Sequence, residues 1–211
     1  MAQFFRIHPD NPQPRLIKQA VQIINDGGIV ALPTDSSYVL ACHLDDRDAV
    51  ERLRRIRGLD EKQLLSLLVR DLSELANFAI VDNRQYRLLK SVTPGPYVFV
   101  LEATKEVPRR LSHPSRKTIG LRVPNHALTL AVLEELGQAM IASTLILPPD
   151  SQPLNDPEAI RARLEKLIDL VIDGGACPAE PSTVIDLSGP EPVLVREGRG
   201  ALEPFGLLSV E

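Results

Sequence analysis

Apolar positions along the chain follow two rhythms, one of period near 3.6 and one of short continuous runs. Across residues 13–26, Leu16, Ile17, Ala20, Val21 and Ile24 fall on one helical face, and Gly27-Gly28 ends the pattern. The run Ile29-Val30-Ala31-Leu32 then reads as a buried strand that breaks at the polar turn Pro33-Thr34-Asp35-Ser36-Ser37. Asp45 or Asp46 can cap a second helix that turns Ala49, Val50, Leu53 and Ile56 inward. Residues 64–69 read as a strand, Asp71-Leu72-Ser73-Glu74 as the start of a short helix, and residues 83–92 as another helix. After the turn Thr93-Pro94-Gly95-Pro96, strands are predicted at 97–101, 118–123, 140–144, 170–172, 183–187 and 193–196. Helices are predicted at 127–136, closed by Gly137, and from Asp156-Pro157-Glu158 to about residue 168. This alternation predicts one α/β domain over residues 1–211 built on a largely open sheet, with the Pro-rich stretch 148–153 as an internal loop and a loosely held tail from Gly198 onward.

Composition narrows the function classes. Of 211 residues, 44% are hydrophobic and 25% charged, enough for a sizeable core. The net charge of -4 means that attraction to nucleic acid must come from local basic patches. Trp is absent and aromatics are 4%, so platforms for stacking single-stranded bases are scarce. The first residues carry no long apolar stretch and no run is long enough to cross a bilayer, which gives a cytosolic expectation with no membrane partner. Cys42 and Cys177 are far apart, and His8, His43, His113 and His126 lack ligand spacing, so no metal site is predicted. Cys42 reads as a small core residue.

Polar groups at strand ends are the candidate chemistry. Thr34 and Asp35, Thr118 and Arg122, Ser182, and Arg196 with Glu197 all sit where apolar runs begin or stop. In open α/β sheets such ends collect ligands, hydroxyls and backbone N–H groups can hold phosphate oxygens, and Arg supplies a charged, bidentate donor. Arg122 and Arg196 lie in otherwise apolar patterns, and a buried guanidinium needs a partner; Glu197 is a candidate for Arg122. Taken alone, Thr34 and Asp35 could equally satisfy turn backbone, and Ser182 could shape the turn after Pro181. No Gly-rich phosphate loop ending in Lys-Ser/Thr is present. The basic clusters Arg52/Arg54/Arg55/Arg57, Arg109/Arg110 and Arg116/Lys117 read first as solvated surface and second as RNA contacts.

The strings Phe4-Phe5-x-Ile7-His8-Pro9-Asp10-Asn11-Pro12, Pro33-Thr34-Asp35-Ser36, Thr93-Pro94-Gly95, Lys105-Glu106-Val107-Pro108-Arg109-Arg110-Leu111, Arg116-Lys117-Thr118-Ile119-Gly120-Leu121-Arg122-Val123-Pro124, Pro181-Ser182-Thr183-Val184-Ile185-Asp186-Leu187 and Val195-Arg196-Glu197-Gly198 together resemble the YrdC/YciO family, in family order. The resemblance implies a YrdC-like twisted mixed sheet with a concave basic cleft. It also implies kinship to threonylcarbamoyl-AMP synthases, which join threonine, bicarbonate and ATP into threonylcarbamoyl-adenylate for tRNA modification and release pyrophosphate. By motif position, Thr34, Arg122 and Ser182 would contact threonine, while Arg57, Thr118, Thr144 and Arg196 would sit by the nucleotide. Arg122 and Arg196 would be the catalytic charges. ATP would be a substrate carried with Mg²⁺, and no tightly bound cofactor is expected.

The chain departs from the synthases at three places. Their Lys-Gly-Arg stretch reads Arg57-Gly58-Leu59, and their Ser-Ala-Asn motif reads Thr144-Leu145-Ile146. The usual glycine after the Tyr of the Pro-Thr turn is also replaced, by Val39 after Tyr38. A charge clamp and an amide are lost, with Lys62 as a nearby replacement cation, so weak or absent adenylate synthesis is expected. Two rivals stand beside it: a non-catalytic binder of double-stranded RNA or tRNA in the same cleft, and a nucleotide-binding protein with another substrate. The sequence assigns no oligomeric state.

Overall fold

The computed structural model describes residues 1–60, 63 and 65–209. Among them, six helices and ten strands form one mixed sheet. The strands are β1 (Gln3–Arg6), β2 (Val30–Leu32), β3 (Val39–His43), β4 (Ser66–Leu68), β5 (Tyr97–Glu102), β6 (Thr118–Arg122), β7 (Met140–Thr144), β8 (Leu170–Asp173), β9 (Thr183–Asp186) and β10 (Val193–Arg196). Their order across the sheet is β1-β8-β2-β3-β7-β4-β6-β5-β9-β10. Pairs β1/β8, β2/β8, β4/β6 and β5/β9 are parallel, and the other five are antiparallel. The helices are α1 (Pro14–Asn25), α2 (Arg47–Arg57), α3 (Leu72–Phe78), α4 (Asn83–Val92), α5 (Ala127–Leu136) and α6 (Pro157–Leu164).

Local chemistry sets the helix starts. Asp46, Asp71, Asp82 and Asp156 each accept a backbone N–H three residues on, and Asp82 completes a reciprocal box with Gln85. Pro opens α1 and α6, where its missing N–H costs nothing.

The helices divide unequally between the two faces of the sheet. Ala49, Val50 and Leu53 of α2, Leu75 of α3, Leu89 of α4, and Ile160 and Leu164 of α6 join one core with Leu67, Phe99, Ile119, Leu121 and Ile141. Ile17, Val21 and Ile24 of α1 and Leu128, Val132 and Leu133 of α5 form the other with residues of β2, β3, β4, β7 and β8. No residue of β5, β6, β9 or β10 belongs to that second core. On that face, half of the sheet is left without a helix over it.

Several expectations need correction. β1 and β3 were not predicted. β1 is an edge strand with both ends exposed, and β3 is a short run buried on both faces, which carries no alternation to read. α6 stops at Leu164 instead of near residue 168. Leu64, at the start of the strand predicted at 64–69, lies outside the described residues. The tail is not loose: Leu202 and Phe205 are buried, Phe205 packs edge-on to Tyr97 at 5.4 Å, and the Tyr97 hydroxyl donates to Ala201 O at 3.0 Å. Thr183 Oγ1 donates to Gly200 O at 2.7 Å, so the segment after β10 is stitched back onto β9. Two aromatic rings in the strand face supply the apolar site that the tail covers.

Phe205→Ala should lower stability by about 3 kcal/mol, the cost of emptying a buried aromatic site. Urea unfolding checks this; an unchanged midpoint would mean that the tail adds nothing.

Candidate functional site

The site begins with the turn after β2. Thr34 Oγ1 accepts from the backbone N–H groups of Ser36 and Ser37, both at 3.2 Å, and donates to Ser37 O at 2.5 Å. This hydroxyl-centred turn is buried, so its backbone groups have no water to fall back on. Pro33 O accepts from Thr129 Oγ1 of α5 at 2.5 Å. The Tyr38 hydroxyl donates to Gly175 O at 2.8 Å and accepts from Gly174 N at 3.3 Å. Desolvation by burial raises the Tyr38 phenol far above its ordinary range and keeps it a donor. The turn is thereby fixed to α5 and to the loop after β8.

Arg122, the last residue of β6, reaches this turn. It is 2% exposed, and its Nη2 donates to Thr34 Oγ1 at 3.1 Å and to Asp35 Oδ1. Burial pushes the guanidinium below its usual range, and Asp35 opposes that shift. The partner is therefore Asp35 and not Glu197, whose carboxylate accepts from Ser209 Oγ at 2.7 Å. Cys177 lies against the same turn. Burial pushes its thiol up to about 11, while a hydrogen bond from the Thr34 backbone and the nearby Arg122 pull the other way.

Ser182 and Arg196 carry the site onward. Antiparallel pairing of β9 and β10 puts the end of β10 beside the start of β9, with Arg196 opposite Val184. Arg196 donates through Nε and Nη2 to Ser182 O at 3.1 and 2.8 Å, and through Nη2 to Ser182 Oγ at 3.1 Å. Gly198 permits this closure, because a Cβ there would stand 2.3 Å from Pro181 O. Ser182 thus lies at an amino end and not, as Arg122, Thr144 and Arg196 do, at the carboxyl end of a strand.

Beyond Arg196 opens a cleft of about 300 Å³ on the face without a helix. Val98, Val100, Gly120, Ala142 and Val184 form its floor, and Arg57, Ser143, Thr144 and Arg196 line its rim. Arg57 Nε donates to Ser143 Oγ at 3.0 Å. A Cβ on Gly120 would meet Val98 and Ser66 at 3.0–3.1 Å, so the floor has no spare room. Among the described residues neither Arg57 nor Arg196 makes an ion pair. Burial pushes Arg57 down to about 10, helped by Arg196; burial also lowers Arg196, helped by Arg122. Arg57 is thus repelled by Arg196 on the cleft rim, Arg196 in turn by Arg122, and Asp35 pairs with Arg122. Such an arrangement draws a phosphate-bearing anion.

The expected residues divide between two adjoining places. Thr34 and Arg122 meet in the inner cluster; Arg57, Thr144 and Arg196 line the cleft; Ser182 is held by Arg196, on which the charge of Arg122 also acts. Thr118 does not line the cleft, although it shares a strand face with Gly120, and its Oγ1 is buried without a partner. Ser143 and His126 were assigned no role from the sequence, and Asp35 was named with the Thr34 turn but not as the partner of Arg122. Asp35 was legible in principle, since a buried arginine needs an acid and the Pro33-Thr34-Asp35-Ser36 turn holds one. Leu59 lines the cleft, Ile146 is half-buried beside it in sequence at Thr144, and Lys62 lies outside the described residues. The other basic clusters are largely engaged within the protein: Arg52 with Asp169, Arg54 with Asp60 O and Gln63 O, Arg110 with Leu44 O, and Arg116 with Asp186. Cys42 is buried in the core, and burial pushes its thiol up to about 12. Among the described residues no helix is long and apolar enough to cross a membrane.

Comparison with known proteins bears on this geometry. The Sua5/YciO/YrdC family model, described as "Telomere recombination", matches residues 22–198. The YciO protein of Escherichia coli (strain K12) is 52% identical over 205 residues, covering 97% of this chain and 100% of its own. Its crystal structure superposes with a TM-score of 0.95 over the same shares of the two chains. A threonylcarbamoyl-AMP synthase of Halorhodospira halophila is 29% identical over 79% of this chain and 86% of its own. The crystal structure of P. abyssi Sua5 complexed with L-threonine has a TM-score of 0.85 at 26% identity, covering 92% of this chain and 57% of that one.

Arg57→Gln should leave the resting protein as stable as before or more so, because it removes a repelled charge; if the cleft takes a phosphate-bearing anion such as ATP, the same change should abolish most of the thermal stabilisation that anion gives. Arg196→Ala should do the same to ATP binding, with about 10- to 100-fold weaker affinity for each lost charged contact. Thermal shift with and without ATP checks both.

Proposed function

The chain belongs to the Sua5/YciO/YrdC family, related to the threonylcarbamoyl-AMP synthases, and we propose that it holds ATP in the cleft and a threonine-like amino acid in the inner cluster, joining them only slowly. The observation that carries this reading is the cleft itself: Arg57 and Arg196, without acidic partners among the described residues, line it, and Arg196 lies near enough to Arg122 of the Thr34–Arg122 cluster for the charge of Arg122 to act on it. Ligands in adjoining places are held near enough to react, and the reaction this arrangement suits is attack by an anionic amino-acid derivative on a phosphate.

In that reaction a carbamate oxygen of N-carboxythreonine bonds to the α-phosphorus of ATP, and the bond to the pyrophosphate oxygen breaks. Two anions must approach each other. Arg196 and Arg57, on the rim of the cleft, would neutralise the phosphates, and Arg122, beside Thr34, would hold the amino-acid carboxylate. Among the described residues no group of three or more His, Cys, Asp or Glu side chains could hold a metal ion, so Mg²⁺ would enter on the ATP phosphates.

Slowness follows from Leu59 and Ile146, which stand in place of a cation and an amide. If each missing group would have stabilised the transition state by about 2–4 kcal/mol, their joint loss costs several orders of magnitude in rate.

Purified protein incubated with ATP, Mg²⁺, bicarbonate and threonine should form threonylcarbamoyl-adenylate at a low rate, read by mass spectrometry, and Arg196→Ala should remove it. Leu59→Arg with Ile146→Asn should raise the rate by about 100-fold or more. No product from any of these, with ATP still bound, would reduce the protein to a nucleotide binder. Double-stranded RNA that binds with steep salt dependence and competes with ATP would favour the RNA reading instead.

A further inference from the structure

Arg57 reaches the cleft from the opposite face of the sheet. It is the last residue of α2, and Ala49, Val50 and Leu53 of that helix pack into the core with Phe99, Leu101, Ile119 and Leu121. The cleft floor is made by the alternate residues of the same strands, Val98, Val100 and Gly120, whose side chains leave on the other face. The guanidinium must therefore pass around the end of the sheet. Ser143 stands at that crossing, near the carboxyl end of β7. Its neighbours Ala142 and Thr144 both line the cleft, so Ser143 between them turns toward the α2 face, as its cross-strand partner Leu40 does.

Ser143 Oγ accepts from Arg57 Nε at 3.0 Å, and among the described residues this is the only side-chain hydrogen bond that Arg57 makes. Nε is the inner nitrogen of the group, so the bond sets the direction of the guanidinium and leaves both terminal nitrogens open. Arg196, a like charge on the same rim, pushes against it. A long side chain repelled by its neighbour and otherwise untied would spread over many rotamers, and a ligand would have to gather it at a cost in entropy. We infer that Ser143 is a positioning residue: its hydroxyl holds Arg57 around the end of β7 so that the terminal nitrogens of the guanidinium line the cleft before a phosphate arrives. Arginine suits this arrangement, because it has one donor for the anchor and two nitrogens left for the ligand, whereas a lysine ammonium is a single point of charge. The inference rests on the ATP half of the function proposed above and concerns how the cation is held, not what it binds.

Titration calorimetry of the full chain with ATP, at low and at moderate salt, tests this. Ser143→Ala should weaken ATP by about 3- to 10-fold, the cost of ordering one long side chain on binding. It should also flatten the salt dependence of the affinity, although it removes no charge. Arg57→Gln should weaken ATP by about 10- to 100-fold, and adding Ser143→Ala to it should change the affinity by less than about twofold. Unaltered ATP affinity in Ser143→Ala would overturn the inference and leave the proposed function standing. So would a loss that persists in full beside Arg57→Gln, or one that leaves the salt dependence as it was, because in either case Ser143 acts otherwise than through Arg57. No ATP binding to the unaltered protein would overturn both.

Discussion

The buried pair of Arg122 and Asp35 is the constraint around which the rest is arranged. β6, which ends at Arg122, and β2, which leads into Asp35, are separated in the sheet by β3, β7 and β4. No backbone hydrogen bond joins them, so a side-chain contact does. A guanidinium almost wholly out of water is tolerated only beside a carboxylate, and that requirement pins the Thr34 turn to the far strand. The turn is also held by Thr129 at the start of α5 and by Tyr38, whose hydroxyl bonds the backbone after β8. Three connections from different parts of the chain therefore meet at one rigid corner.

Unequal helix cover does the remainder. With only α1 and α5 on one face, the strands from β6 to β10 present valines and a glycine to open space, and the guanidiniums at the rim have no acidic partners among the described residues. A mixed sheet suits this task. Its parallel pairs bring carboxyl ends together, and its antiparallel hairpin β9/β10 brings the end of one strand to the beginning of another. Ser182 and Arg196 touch for that reason alone.

Much of the secondary structure was legible because strong local patterns coincide with burial. The helices Asn83–Val92 and Ala127–Leu136 and the strands Met140–Thr144 and Val193–Arg196 fall where the apolar rhythm places them. β1 and β3 were not legible, one because an edge strand is half wet and the other because a strand buried on both faces has no alternation. The tail was misread because its polar and Gly-rich composition hides Phe205, whose burial depends on the distant rings of Tyr97 and Phe99. The site was legible only through motif resemblance. Nothing local to Arg122 says that its partner is Asp35 and not the nearer-seeming Glu197, because that choice is made by the folding of three intervening strands. Thr118 shows the converse: it sits in a family string and on the right strand face, yet outside the cleft.

The sheet also joins the beginning of the chain to its end. Gln3 is in register with Leu170, and β9, β10 and the segment behind them close the wall that holds Arg196. Contacts this distant in sequence are slow to find and exact a large loop entropy before they give anything back. A growing chain with α1 through β7 complete would have the residues of the Arg122–Asp35 pair but not the Tyr38 anchor after β8, no cleft wall and an incomplete sheet edge. A complete cleft is thereby confined to chains that have folded through β10, and the open edges beside β2 and β5 would be the surfaces most exposed to misassociation in the interval before β8 and β9 arrive.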